Sequence, residues 1–192
     1  MRVFVSDLDG TLIYVPVNWD EVKRALSRVV GHEVTSVFEA LRVTRAKDEA
    51  LYKELSQLIE NYEVNSIREL KELEGSKRLL KLLKSLEVKV AIVTLQSERG
   101  LKAALKISGL DSYVDVYVTR DEELDRARQI EIALRKLDAE IGRDLVVFMG
   151  DRITDLEAGK KLGIPTIIIG STVSTPLEAL NVIAENLKLS IN

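Results

Sequence analysis

The chain has 192 residues, 46% hydrophobic and 31% charged, with a formal net charge of −3. That length suits one well-cored domain or one domain carrying an insert. The charge gives no basic face for nucleic acid, and no stretch reaches the roughly 18 continuous apolar residues of a membrane span. Cysteine is absent and His32 is the single histidine. Disulfides, thiolate metal sites and a cysteine nucleophile are therefore excluded, and a metal must be held by oxygen ligands, which points to magnesium or a similar hard ion. His32, in the polar stretch GHEVTS, reads as an exposed or capping residue.

In chain order, RVFVS at 2–6 reads as a buried strand that runs into two acids, Asp7 and Asp9, followed by Gly10 and Thr11. No apolar leader stands ahead of this strand, so a cytoplasmic location is expected. From 17 to 74 the pattern is helical throughout: WDEVKRALSRVV, then TSVFEALRVTRAKDEALYKELSQLIENY, then SIRELKEL. That is too long for an ordinary crossover and predicts a small helical domain at 16–74, inserted into a core made of 1–15 and 75–192.

Beyond it, helical patterns at 76–86, 97–110, 123–142 and 154–163 alternate with Val/Ile-rich runs at 88–94, 114–119, 144–150 and 165–170. Gly109, Gly142 and Gly163 are placed to cap three of those helices. Continuous apolar strands alternating with helices predict an α/β fold, a Rossmann-like doubly wound parallel sheet. Open sheets of this kind bind ligands at the carboxyl ends of their strands. There the acids collect: Asp7 and Asp9 after the first strand, Asp151 and Asp155 after the fourth, with Thr94 ending the second. Converging carboxylates repel one another unless a cation sits among them.

These residues resemble the haloacid dehalogenase (HAD) superfamily in its phosphatase branch, of the helical-cap, phosphoglycolate phosphatase-like type. Asp7-Leu8-Asp9-Gly10-Thr11 matches its first motif, Thr94 its second, and Gly150-Asp151-Arg152-Ile153-Thr154-Asp155 its last. The resemblance covers the core and leaves the helical insert outside. It implies magnesium-dependent hydrolysis of a small phosphomonoester through an aspartyl-phosphate, with Asp7 as nucleophile and Asp9 as general acid and base. It also implies phosphate contacts from Thr94 and from the backbone near Leu8 and Leu95. Magnesium ligands would come from the Asp7 carboxylate, the Asp9 carbonyl, Asp151 and Asp155.

The sequence departs from that pattern at two places. The family's lysine before the long helix has no counterpart; Arg126 or Arg128 takes its place, Arg126 being favoured on spacing, with pairing to the helix acids Glu122 and Glu131 as the competing account. Leu95 stands where Asn is common, which removes a side-chain contact to the cap. In the insert, Arg42, Arg45 and Lys47 are candidates for an anionic substrate, while Trp19, Phe38 and Tyr52 read as cap core. The expected partner is a small phosphorylated metabolite, not nucleic acid or membrane, acting on a monomer or homodimer. A phosphotransferase or mutase of the same fold, a phosphonate hydrolase using Lys23, Lys47 or Lys53, and a catalytically weak phosphate-binding protein are the alternatives.

Overall fold

A computed structural model describes residues 1–190; positions 191 and 192, the end of the expected core, lie outside it. Five strands form a parallel sheet: β1 (Arg2–Ser6), β4 (Lys89–Val93), β5 (Val116–Val118), β6 (Leu145–Gly150) and β7 (Thr166–Ile168), in the order β5-β4-β1-β6-β7. The chain leaves β1 toward β4 and β5, then crosses back to β6 and β7. The topological switch therefore falls beside the carboxyl end of β1.

Strand side chains alternate between two packed faces. Phe4, Val90, Ile92, Val147 and Met149 join the face covered by helices α4 (Ser76–Ser85), α5 (Glu98–Ser108) and α8 (Ala179–Leu187). Val3, Val5, Ala91, Val93 and Phe148 join the opposite face, under α6 (Arg126–Lys136) and α7 (Ile153–Leu162). Burial on both faces is why these strands read as unbroken apolar runs. The last helix, α8, lies beyond the elements anticipated from sequence, although Ala179, Ile183, Ala184 and Leu187 form an apolar stripe at helical spacing.

The insert folds as three helices, α1 (Trp19–Val30), α2 (Val37–Lys47) and α3 (Glu49–Ser66), around their own core of Val22, Leu26, Leu41, Leu55 and Ile59. The pattern that reads as one helix from 35 to 62 breaks at Asp48. This residue is extended at φ −150°, ends α2, and accepts a hydrogen bond from Leu51 N at 3.0 Å to start α3. The expected helix over SIRELKEL is instead a 3₁₀ turn, Ile67–Glu69, followed by the short strand β3 (Lys71–Glu72). It pairs antiparallel with β2 (Ile13–Tyr14), so a two-stranded ribbon ties the two linkers together at the base of the cap. The helix expected to reach Gly142 stops at Lys136: Asp138 turns left-handed (φ 55°) and Ala139 N donates back to Leu134 O, while Gly142 serves a later turn. Among the described residues no helix is long and apolar enough to cross a membrane.

Candidate active site

The site is built on chain ends that β1, β4 and β6 deliver side by side. Beyond β1, Asp7 is 5% exposed; its N donates to Met149 O, and its Oδ1 accepts from Leu8 N at 2.8 Å. Gly10 then reverses the chain at φ +83°, and a Cβ there would run into the Asp151 carboxylate. Beyond β6, Asp155 is fully buried at the start of α7, where its Oδ2 accepts from Asp151 N and Arg152 N. Gly150 is equally tight, since a Cβ on it would meet the Asp155 carboxylate.

Carboxylate oxygens of Asp7, Asp151 and Asp155 lie within 4.8 Å of one another. Asp151 Oδ1 is buried with no hydrogen-bond partner among the described residues. A cluster of hard oxygens with an orphaned buried acceptor fits a divalent cation. The Asp9 side chain stands apart from this trio. Its Oδ1 accepts from Val15 N at 2.8 Å, which fastens it to the first cap linker.

Arg126 occupies the position expected of the positive charge. Its side chain is 11% exposed, with Nη2 3.1 Å from Asp7 Oδ2 and Nε 2.8 Å from Asp155 Oδ1. Only the first of these carboxylates faces the crevice; the Asp155 contact is a close ion pair without an aligned hydrogen bond. Nη1 donates to Val93 O at 2.6 Å and to Gln129 Oε1 at 2.9 Å, and Gln129 Nε2 in turn donates to Thr94 O. Asp125 caps α6 by accepting from Arg128 N, so Arg126 opens the helix facing the site. Arg128 is corrected here: two residues further round the helix it points away, 70% exposed and 3.9 Å from Glu123.

Burial raises the Asp7 carboxyl from 3.8 to about 7, with Arg126 opposing and Asp155 and Asp151 adding to the rise. Burial also raises Asp9 to about 6 against the Val15 N–H bond. Asp151 is raised by burial, partly offset by Arg152. Acids held above their unfolded values favour the protonated folded state, so their contribution is complete below pH 3.8 and lost as pH climbs to about 7. The metal-free protein is expected to lose stability across that window, read as a falling urea midpoint in EDTA. Added divalent cation should recover far more stability at pH 8 than at pH 5; equal recovery at both would exclude the acid trio as its site.

The crevice above these acids is lined by Asp7, Asp9, Thr94, Leu95, Gln96 and Arg126 from the core and by Trp19, Phe38, Arg42 and Glu63 from the cap. No lysine lines it, so Lys23, Lys47 and Lys53 are all away from the site. Thr94 is 2% exposed and its Oγ1 accepts from Gln96 N at 3.2 Å. Trp19 and Phe38 meet edge to face at 5.7 Å, so these cap-core residues also form a wall of the crevice. Arg42 reaches Leu124 O at 3.4 Å, whereas Arg45 bonds Arg120 O and Glu122 O outside the crevice and Lys47 is exposed.

Cap docking rests on residues that sequence reasoning missed. Arg120, fully buried after β5, donates through Nη1 to both carboxylate oxygens of Glu63 on α3, at 2.7 and 2.9 Å. The same nitrogen reaches Leu95 O, and Nε reaches Ser56 Oγ. Leu95 and Leu124 add apolar contact with the cap core. Neither Glu63 nor Arg120 has a local sequence signal, because their partners are 57 residues apart. Glu63→Gln or Arg120→Met should each cost about 3–5 kcal/mol in urea unfolding by stranding a buried charge. Combining Glu63→Leu with Arg120→Met should cost less than either single change; a larger cost would rule out stranded charge as the cause.

The family model described as haloacid dehalogenase-like hydrolase matches residues 17–169. The chain is 26% identical over 198 residues to pyrophosphatase PpaX of Halalkalibacterium halodurans, covering 90% of this chain and 85% of that one. A hydrolase from Pseudomonas syringae superposes with a TM-score of 0.74 at 20% identity, over 96% of this chain and 98% of its own. A HAD phosphatase from Thermococcus onnurineus gives 0.66 at 21% identity, over 95% and 98%. With the family model spanning most of the chain, the chain belongs to the haloacid dehalogenase-like hydrolase family.

Proposed function

We propose that this chain is a magnesium-dependent phosphatase acting on small phosphomonoesters, with Asp7 as nucleophile and Asp9 as general acid and base. The observation that carries the reading is the pairing of a buried Asp7, fixed beside the Arg126 guanidinium, with an Asp9 held clear of the acid trio. An Asp7 oxygen attacks phosphorus as the ester P–O bond breaks, and Asp9 hands its proton to the departing oxygen. Asp9 then takes a proton from water, whose oxygen attacks the same phosphorus and frees phosphate and the Asp7 carboxylate. An Asp9 that holds its proton to about pH 6 is suited to both steps.

Arg126 offsets the negative charge brought by the phosphoryl group, and Thr94 with the Leu95 N–H supplies hydrogen bonds to its oxygens, the Leu8 N–H being held by Asp7 Oδ1. Asp7, Asp151 and Asp155, with the Asp9 carbonyl, would hold the magnesium, which lets an anionic nucleophile approach an anionic substrate. The cap would close over the substrate and exclude water. PpaX of H. halodurans is named for pyrophosphate, but the Trp19, Phe38 and Leu124 wall here favours an organic leaving group.

Phosphate release is to be measured from a panel of phosphorylated metabolites, pyrophosphate and p-nitrophenyl phosphate, with magnesium and with EDTA. Magnesium-dependent release from an organic ester is the expected result. Silence across the panel would favour a phosphate-binding protein, and transfer to an added sugar phosphate without free phosphate would favour a mutase.

A further inference from the structure

Gln96 carries a polar group that neither the fold nor the proposed chemistry uses. It sits two residues beyond Thr94, and its backbone is held at both ends: its N donates to Thr94 Oγ1 at 3.2 Å and its O accepts from Arg120 N at 3.2 Å. Its neighbours are equally fixed. Leu95 O accepts from Arg120 Nη1 at 2.8 Å, and Ser97 caps α5 by accepting from Gly100 N. The side chain is thus placed by a rigid loop. It is 6% exposed, lines the crevice, and its Oε1 is buried with no partner among the described residues.

A buried amide oxygen without a donor is costly and uncommon. The described residues offer this oxygen no donor, so the amide is placed for a group that arrives from outside. Its oxygen and nitrogen can exchange places by rotation of the terminal torsion. A hydroxyl, both donor and acceptor, satisfies either orientation. A carboxylate, which only accepts, would satisfy only one. The remaining wall of Trp19, Phe38, Leu95 and Leu124 suits a short carbon skeleton.

Resting on the phosphatase reading, we infer that Gln96 is a specificity-determining residue whose amide binds a hydroxyl of the leaving group, which makes the substrate class polyol or sugar phosphates. Such a site discriminates by leaving its buried amide unpaired when the hydroxyl is missing.

The test compares glycerol 3-phosphate with propyl phosphate, which has the same three-carbon skeleton without the free hydroxyls. Binding is measured by calorimetry to the Asp7→Asn protein, and kcat/KM is measured on the wild type. Glycerol 3-phosphate should bind at least about tenfold more tightly, with a matching preference in kcat/KM. Adding Gln96→Leu, or Gln96→Met as a second variant of similar size, should bring both ratios close to one. Equal binding of the two phosphates, no binding of either, or a ratio that survives both Gln96 variants would overturn the assignment. Selective binding with no phosphate release by the wild type would instead strike the phosphatase reading and leave the amide's role standing.

Discussion

Asp7→Asn is expected to abolish phosphate release, by at least about 10³-fold, while making the metal-free protein more stable. The first effect follows from chemistry: an amide cannot form the covalent intermediate, and the one oxygen left to it keeps the geometry without the nucleophilicity. The second follows from burial. Asp7 is 5% exposed, and its ionisation in the folded state is delayed from 3.8 to about 7. Above that pH the fold carries a desolvated charge that asparagine removes. The stability gain is a few kcal/mol at most, since each pKa unit is worth about 1.4 kcal/mol and Arg126 already compensates part of the charge.

The gain should appear only where Asp7 is ionised. At pH 4 the variant and wild type are expected to unfold at similar urea concentrations, and at pH 8 the variant should unfold later. Activity lost with stability raised is the pattern of a group kept for function at the expense of the fold. A variant that loses activity and stability together at pH 8 would point to structural damage instead.

Arg126 should give the second-largest effect, with a contrast between two replacements. Arg126→Met removes the cation that faces Asp7 and Asp155 and also frees Val93 O and Gln129 Oε1. A loss of about 10²–10³ in kcat/KM is expected, the size seen when one preorganised charge-stabilising donor is removed. The Asp7 titration should move further upward, because the charge that lowers it has gone.

Arg126→Lys keeps the charge and gives up the fork, since an ammonium cannot reach both carboxylates and the Val93 carbonyl as a planar guanidinium does. Lysine is also what the resembling family usually places here, so the variant should stay within about tenfold of wild type. Arg128→Met should change neither rate nor pH profile, because Arg128 is solvent-exposed and paired with Glu123. A strong effect at Arg128 with none at Arg126 would reverse the assignment of the site's cation.

The placement of the site's acids was largely legible in the sequence. Asp7, Asp9, Asp151 and Asp155 stand at strand ends, and in an open parallel sheet strand ends are where ligands bind. Val- and Ile-rich runs fold as strands of three to six residues because both sheet faces are covered, and three-to-four spacing reveals helices with one buried stripe. These are local signals, so the strands, the helical insert and the family resemblance could be read along the chain. Local signals also failed locally. Asp48 both ends one helix and starts the next, and Asp138 takes the left-handed turn expected four residues later at Gly142.

Tertiary structure alone decided the rest. Arg126 and Arg128 share one helical turn and one chemistry; only the start of α6 at Asp125 turns the first toward Asp7 and the second to solvent. Glu63 and Arg120 become a buried pair because α3 lies across the loop after β5, and no spacing rule links residues so far apart. Gln96 reads as an ordinary polar loop residue until the fold buries its amide and leaves the oxygen without a donor. Residue type and spacing determine which chemistry a chain can perform. Which side chains lose their water, and which find a partner when they do, is decided only when distant segments pack together.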